Sequence, residues 1–210
     1  MIPCFCMSVS NIELSSTKKI RNQIMHAVRA LRRGGVIAFP TETTYGLGCD
    51  PRNMQAVRRI YKLKGRDYTK PLLLVASSLA QVRKVAMFHV SSLRLQEPYW
   101  PGPLTLVLLV KKSASLVSGV AVKGEVAIRV SSSSIVQLLT RVYGFPIVAT
   151  SANRTGEPEC RSARAIRHIF ADELDYIVDA GALPKRKLST VARVKKDGII
   201  EVIRQGAVKF

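Results

Sequence analysis

Lys64 and Arg66 stand two positions apart in KLKGRDYTKP, with Lys62 and Lys70 close by. A lysine ammonium is a mobile point charge, and a guanidinium is a planar fork that grips two oxygens. Together they could clamp a phosphoryl group and offset charge developing on it. The plain alternative is a solvated basic helix end, favoured by the helix dipole. A second group of polar residues sits where apolar stretches stop. VIAF runs into Pro40-Thr41-Glu42-Thr43-Thr44-Tyr45-Gly46-Leu47-Gly48. PLTLVLLV carries Thr105 near its start, EVAIRV carries Arg129 in an apolar run, and PIVA ends in Thr150-Ser151-Ala152-Asn153. Hydroxyls and amides there can hydrogen-bond a ligand. Taken singly, each has an ordinary reading. Threonine and serine are turn residues, Gly46 and Gly48 serve a tight turn, and Arg129 is an edge residue with its head in water. Several such ends in one chain point to a ligand rim, because open α/β sheets bind ligands where strand ends converge.

Other chemistries find no support. There is no G-x-x-x-x-G-K-[ST] loop, and Gly46-Leu47-Gly48 lacks the third glycine of a dinucleotide fingerprint. Three histidines, His26, His89 and His168, leave little material for a Ser-His-Asp triad. Asn153-Arg154-Thr155 matches a glycosylation sequon, which matters only in a secreted chain. The start MIPCFCMSVS has no basic head and no long apolar stretch, so it makes a poor export signal. Cys4, Cys6, Cys49 and Cys160 form no C-x-x-C pair. A reducing, cytoplasmic setting without structural disulfides or a bound zinc is expected. No run approaches 18 apolar residues, so no membrane span is expected.

The elements that must hold these residues follow from periodicity. Ile20, Ile24, Ala27 or Val28, and Leu31 share one helical face, ended by Gly34-Gly35. NMQAVRRIYKLKG is a second helix with Asn53 as cap and Gly65 as stop. Helices are also expected in LAQVRKVAMF, SSLRLQEPYW, SIVQLLTRVY and SARAIRHIF. Strands are expected in VIAF, PLLLVAS, PLTLVLLV, EVAIRV, PIVAT, YIVDA, STVARV and GIIEVIR. Helices alternate with strands and strands gather at the C-terminus, which predicts an α/β domain with a mixed sheet. Residues 1–17 are read as an extension, residues 18–210 as the domain. Hydrophobic residues make up 47% of the 210, enough for one core. The net charge of +19, from 33 Lys and Arg against 14 Asp and Glu, favours polyanionic partners.

FPTETTYGLGCD, KLKGR…KPLLLV, WPGPLTLVL, VAIRV, PIVATSANRTGEP, STVARV and VIRQGAV occur in the order found in the YrdC family. The chain resembles that family over about residues 18–208. The resemblance implies a twisted, mixed parallel and antiparallel sheet with flanking helices and a concave basic cavity. It implies synthesis of L-threonylcarbamoyl-AMP and pyrophosphate from L-threonine, bicarbonate and ATP, with Mg²⁺ accompanying the nucleotide and no protein metal site. The product would feed N6-threonylcarbamoyladenosine at position 37 of tRNA, through tRNA threonylcarbamoyl-transfer proteins. Matched by motif, Lys64, Arg66, Ser151, Asn153 and Arg204 would hold ATP, the first two as catalytic groups. Thr41, Thr105, Arg129, Thr150 and Ser189 would line the threonine pocket. The resemblance breaks in three places. Asp67 follows Arg66 where the family has proline, and pairing between them would weaken the clamp. Ser131-Ser132-Ser133-Ser134 replaces a proline and polar loop. PKRKL precedes Ser189. A different class of function also suits the charge: a double-stranded RNA- or tRNA-binding protein without catalysis, using AVRRIYKLKGR and CRSARAIRHIF.

Overall fold

Strand alternation divides the side chains between two layers. In β1 (Ile37–Pro40), Ile37 and Phe39 face one core while Ala38 faces the other. In β3 (Leu73–Ala76), Leu73 and Val75 go one way, Leu74 and Ala76 the other. β7 (Ile147–Ser151) repeats the pattern, with Val148 opposed to Ile147 and Ala149. Such strands need cover on both faces, and the helices supply it. The first core is closed by α1 (Asn11–Arg32) and α5 (Ser134–Tyr143), through Ile24, Ala27, Val28, Leu31, Val136 and Leu139. The second is closed by α2 (Met54–Lys64), α3 (Leu79–Val85) and α6 (Ala163–Phe170), through Val57, Ile60, Val82, Val85, Ile166 and Phe170.

The computed structural model describes residues 11–195 and 198–210. α1 begins at Asn11, inside the stretch 1–17 read as an extension; Cys4, Cys6 and the rest of residues 1–10 lie outside the described residues. The remaining elements are β2 (Tyr45–Gly48), β4 (Ala86–Met87), α4 (Val90–Gln96), β5 (Leu104–Val110), β6 (Glu125–Val130), β8 (Tyr176–Ile177), β9 (Thr190–Val194) and β10 (Ile200–Arg204). Among the described residues ten strands form one mixed sheet, ordered β10-β9-β5-β6-β3-β7-β2-β1-β8, with β4 also on β5. β3–β6, β5–β9 and β1–β8 are parallel, and the other pairs are antiparallel. No helix among the described residues is long and apolar enough to cross a membrane.

α2 ends as expected. The Asn53 side chain accepts from the Ala56 amide at 3.0 Å, and Gly65 takes the left-handed conformation at φ 56. Asn53→Ala is expected to cost about 1 kcal/mol, read as a lower midpoint of urea unfolding at unchanged slope.

Two expectations are corrected. LAQVRKVAMF does not stay helical: α3 stops at Val85, and Ala86 and Met87 pair with Val110 and Leu109. Gly46 and Gly48 do not make a tight turn. They lie in β2, between β1 and β7, and neither has a positive φ. Their smallness lets β7 approach: a Cβ on Gly48 would sit 2.4 Å from the Val148 carbonyl oxygen and 2.6 Å from Phe39 Cε1.

Candidate active site

Register gathers the polar residues from two halves of the sheet. On one side Pro40 pairs with Tyr45 and Gly46 with Ser151. The corner Thr41–Thr44 therefore lies beside the end of β7, with Thr150 and Ser151. On the other side Leu106 pairs with Ile128, which puts Thr105 next to Arg129. Thr105 and Arg204 both pair with Val191, so β10 delivers Arg204 close to Ser189. One cavity opens between the halves. Thr41, Arg66, Arg129, Thr150, Ser151, Ser189 and Arg204 line it, with Thr43, Thr44, Tyr45 and Leu188.

Three guanidiniums from three elements face this cavity. Arg66 follows α2 and is steadied by the carbonyls of Lys70 and Pro71, at 3.0 and 3.2 Å. Arg129 comes from β6 and is 4% exposed. Arg204 ends β10 and donates to the Ser189 carbonyl and hydroxyl, at 2.8 and 3.0 Å. Burial holds Arg204 below the usual guanidinium range, and repulsion from Arg129 and Arg66 adds to it. Gathered like charges of this kind are relieved by an anionic ligand. The expected Arg66–Asp67 pairing is not formed: Asp67 Oδ1 instead accepts from the Thr69 amide at 2.8 Å.

Lys64, Asn153 and Thr105 are placed differently from the other expected residues. They stand behind the lining. Lys64 is 3% exposed, and its Nζ donates to Ser151 O, Asn153 O and Asn153 Oδ1 at 2.5, 2.8 and 2.9 Å. Ser151 Oγ donates to the same Oδ1 at 2.7 Å, and Asn153 Nδ2 donates to Glu157 O at 2.6 Å. The Lys-x-Arg and Ser-x-Asn motifs thus meet, with Lys64 as the knot that shapes the turn and the half-buried Arg66 as the prong that lines the cavity. Thr105 is fully buried and shares a 3.0 Å hydrogen bond with Ser189 Oγ. Thr41 spends its hydroxyl on its own corner: it donates to Thr44 O at 2.7 Å and accepts from the amides of Thr43 and Thr44 at 3.2 Å. The hydroxyl of Thr44 donates to Cys160 O at 2.9 Å. Sequence reasoning passed over Thr43, Thr44 and Tyr45 as lining residues. Their signal was present in the polar run that follows a buried strand.

Burial pushes the Lys64 ammonium down to about 8, with repulsion from Arg66 second. An unfolded lysine keeps its proton to about 10.4, so above about 8 the native state binds fewer protons than the unfolded one. This group then makes stability rise with pH between those values. Its hydrogen bonds behave oppositely, because a neutral amine has two N–H donors for three acceptors. Binding of an anion in this cavity is expected to weaken as pH rises through about 8. Titration with inorganic pyrophosphate at a series of pH values checks it.

Comparison with known proteins finds relatives by sequence and by fold. A model of the Sua5/YciO/YrdC family, described as telomere recombination, matches residues 29–206. The threonylcarbamoyl-AMP synthase of Photobacterium profundum is 35% identical over 189 residues, covering 88% of this chain and all of that protein. The crystal structure of P. abyssi Sua5 complexed with L-threonine superposes with a TM-score of 0.78 at 33% identity, covering 87% of this chain. The chain spans about half of that Sua5, 54% of its length. E. coli YciO superposes with a TM-score of 0.79 at 26% identity, covering 90% of this chain and 91% of that one.

Proposed function

The chain belongs to the Sua5/YciO/YrdC family, and on that premise we propose that it synthesises L-threonylcarbamoyl-AMP from L-threonine, bicarbonate and ATP. The observation that carries the reading is the convergence of Arg66, Arg129 and Arg204 on one hydroxyl-rimmed cavity. The threonine amine and bicarbonate condense to a carbamate with loss of water. A carbamate oxygen attacks the α-phosphorus, the bond to the bridging oxygen breaks, and pyrophosphate leaves. Catalysis of such a transfer is positioning plus charge. Arg66, at the open end of α2, offsets charge on the leaving pyrophosphate. The knot Lys64–Ser151–Asn153 holds the turn against which the nucleotide lies. Arg129, Thr150 and Ser189 take the amino acid. Carbamates are short-lived in water, and a recessed cavity shields one. No general base is assigned.

Mg²⁺ enters with the nucleotide as part of the substrate. Among the described residues no three His, Cys, Asp or Glu side chains are grouped to hold a metal ion. The product would be handed to proteins that transfer threonylcarbamoyl to adenosine 37 of tRNA, in the cytoplasm. Exposed Arg58 and Lys62 on α2, and Arg164 and Arg167 on α6, offer RNA a separate surface. Binding there would rest on phosphate contacts and fall steeply with salt. Purified protein given ATP, Mg²⁺, bicarbonate and L-threonine should release pyrophosphate. Release at the same rate without threonine would overturn the reading, and salt-sensitive RNA binding without turnover would favour the binding protein.

A further inference from the structure

Arg129 raises a question that the reaction alone does not answer. Its guanidinium is almost wholly buried, yet Nε has no hydrogen-bond partner in the protein. A buried guanidinium needs a counter-charge, and among the described residues Glu42 supplies it. Glu42 Oε1 lies 3.5 Å from Arg129 NH1, with the side chains 7% and 5% exposed. Oε1 is itself buried and makes no hydrogen bond. The pair is thus ionic and loose, and something else must fix the carboxylate.

Ser131 does so. It is fully buried, and its hydroxyl donates to Glu42 Oε2. The hydroxyl is the donor because a carboxylate oxygen accepts, and Ser131 Oγ accepts in turn from the Ser133 amide at 3.2 Å. The residue is held in turn: its amide donates to Ala76 O at 3.1 Å, and its carbonyl accepts from Gln137 Nε2 at 2.9 Å. The serine run that departs from the family pattern therefore has a use.

We propose that Glu42 and Ser131 are positioning residues: Ser131 anchors the Glu42 carboxylate, and that carboxylate aims Arg129 so that its remaining donors serve a carboxylate of the substrate. Neither residue touches substrate. Their effect passes through Arg129, so the proposal rests on the amino-acid site described above.

A double-mutant cycle tests it. Glu42→Gln keeps the shape and removes the charge; it should raise KM for L-threonine about 10-fold or more, the scale of one charge-assisted hydrogen bond. Ser131→Ala, the gentler variant, should raise it by less and leave kcat near wild type. In an Arg129→Gln background both substitutions should add almost nothing. Additive losses, or a fall in kcat at unchanged KM, would overturn the proposal. A second readout needs no substrate. In ¹H–¹⁵N spectra the Arg129 Nη1–H signals, on the side of the guanidinium that faces Glu42, should exchange slowly in wild type and quickly in Glu42→Gln, with the rest of the spectrum retained. Equal protection in both would also overturn it. A protein inactive with threonine but showing this loss of protection would refute the assigned reaction and leave the positioning intact.

Discussion

Arg66→Ala should lower threonine-dependent pyrophosphate release by about 100-fold, and Lys64→Ala by at least as much, while Lys19→Ala should leave it unchanged. One electrostatic contact to a developing charge contributes about 3 kcal/mol to the transition state. Arg66 lines the cavity, and the carbonyls of Lys70 and Pro71 engage its Nε and one Nη. Donors remain for phosphate oxygens, so its loss should spare stability. Lys64 acts from behind. Removing it takes the ammonium donor from three oxygens of the turn at Ser151 and Asn153. Ser151 O keeps the Asn153 amide and Asn153 Oδ1 keeps the Ser151 hydroxyl, so the main loss is at Asn153 O, at a cost of about 1 kcal/mol or more. Lys64→Ala should therefore lower the melting temperature as well as the rate. Lys19 is exposed on α1 and does not line the cavity. Rates and melting curves of the three variants check this, and a wild-type rate for Arg66→Ala would remove Arg66 from the site.

A large effect on stability is expected at Gly48. An alanine Cβ there would overlap the Val148 carbonyl oxygen, at 2.4 Å, and the Phe39 ring. One neighbour is backbone of β7 and the other a fully buried ring, so neither yields easily. The overlap falls where Val148 N donates to Cys49 O at 3.0 Å, so the β2–β7 ladder must part. Gly48→Ala should cost about 3 kcal/mol, or roughly 10 °C for a chain of this size. Gly65→Ala makes the scale visible. It meets nothing within 4 Å and bears only the strain of φ +56, about 1 kcal/mol. Thermal unfolding of the pair should show Gly48 as the costlier position; equal melting temperatures would mean that β7 does not press on β2.

Much of this was legible before the structure. α2 carries its own punctuation, Asn53 and Gly65, and the cap geometry matches it. The apolar face of α1 could be counted out at helical spacing; Ile24, Ala27, Val28 and Leu31 are buried and Ile20 is half-buried. The departures have physical causes. Tyr-Gly-Leu-Gly reads as a turn because glycine is free in conformation. Its use here is absence of volume, which only the approach of β7 discloses. α3 ends at Val85 because Ala86 and Met87 find partners on β5, a tertiary pairing that no local preference announces.

The site shows the same division. Residue types and spacing marked Arg66, Thr150 and Ser151 as ligand-facing, and they line the cavity. Lys64 was placed in the clamp, but its three acceptors lie in the turn formed 87 to 89 residues later in the chain. Glu42 and Ser131 meet across 89 residues. Long-range contacts of this kind leave no periodic trace in a single sequence.

Labelled bicarbonate tests the central claim most directly. With ATP and L-threonine present, label should appear in an adenylate containing threonine, one equivalent for each pyrophosphate released, and omission of either substrate should abolish it. Pyrophosphate released without label in the adenylate, or label incorporated without threonine, would contradict the account.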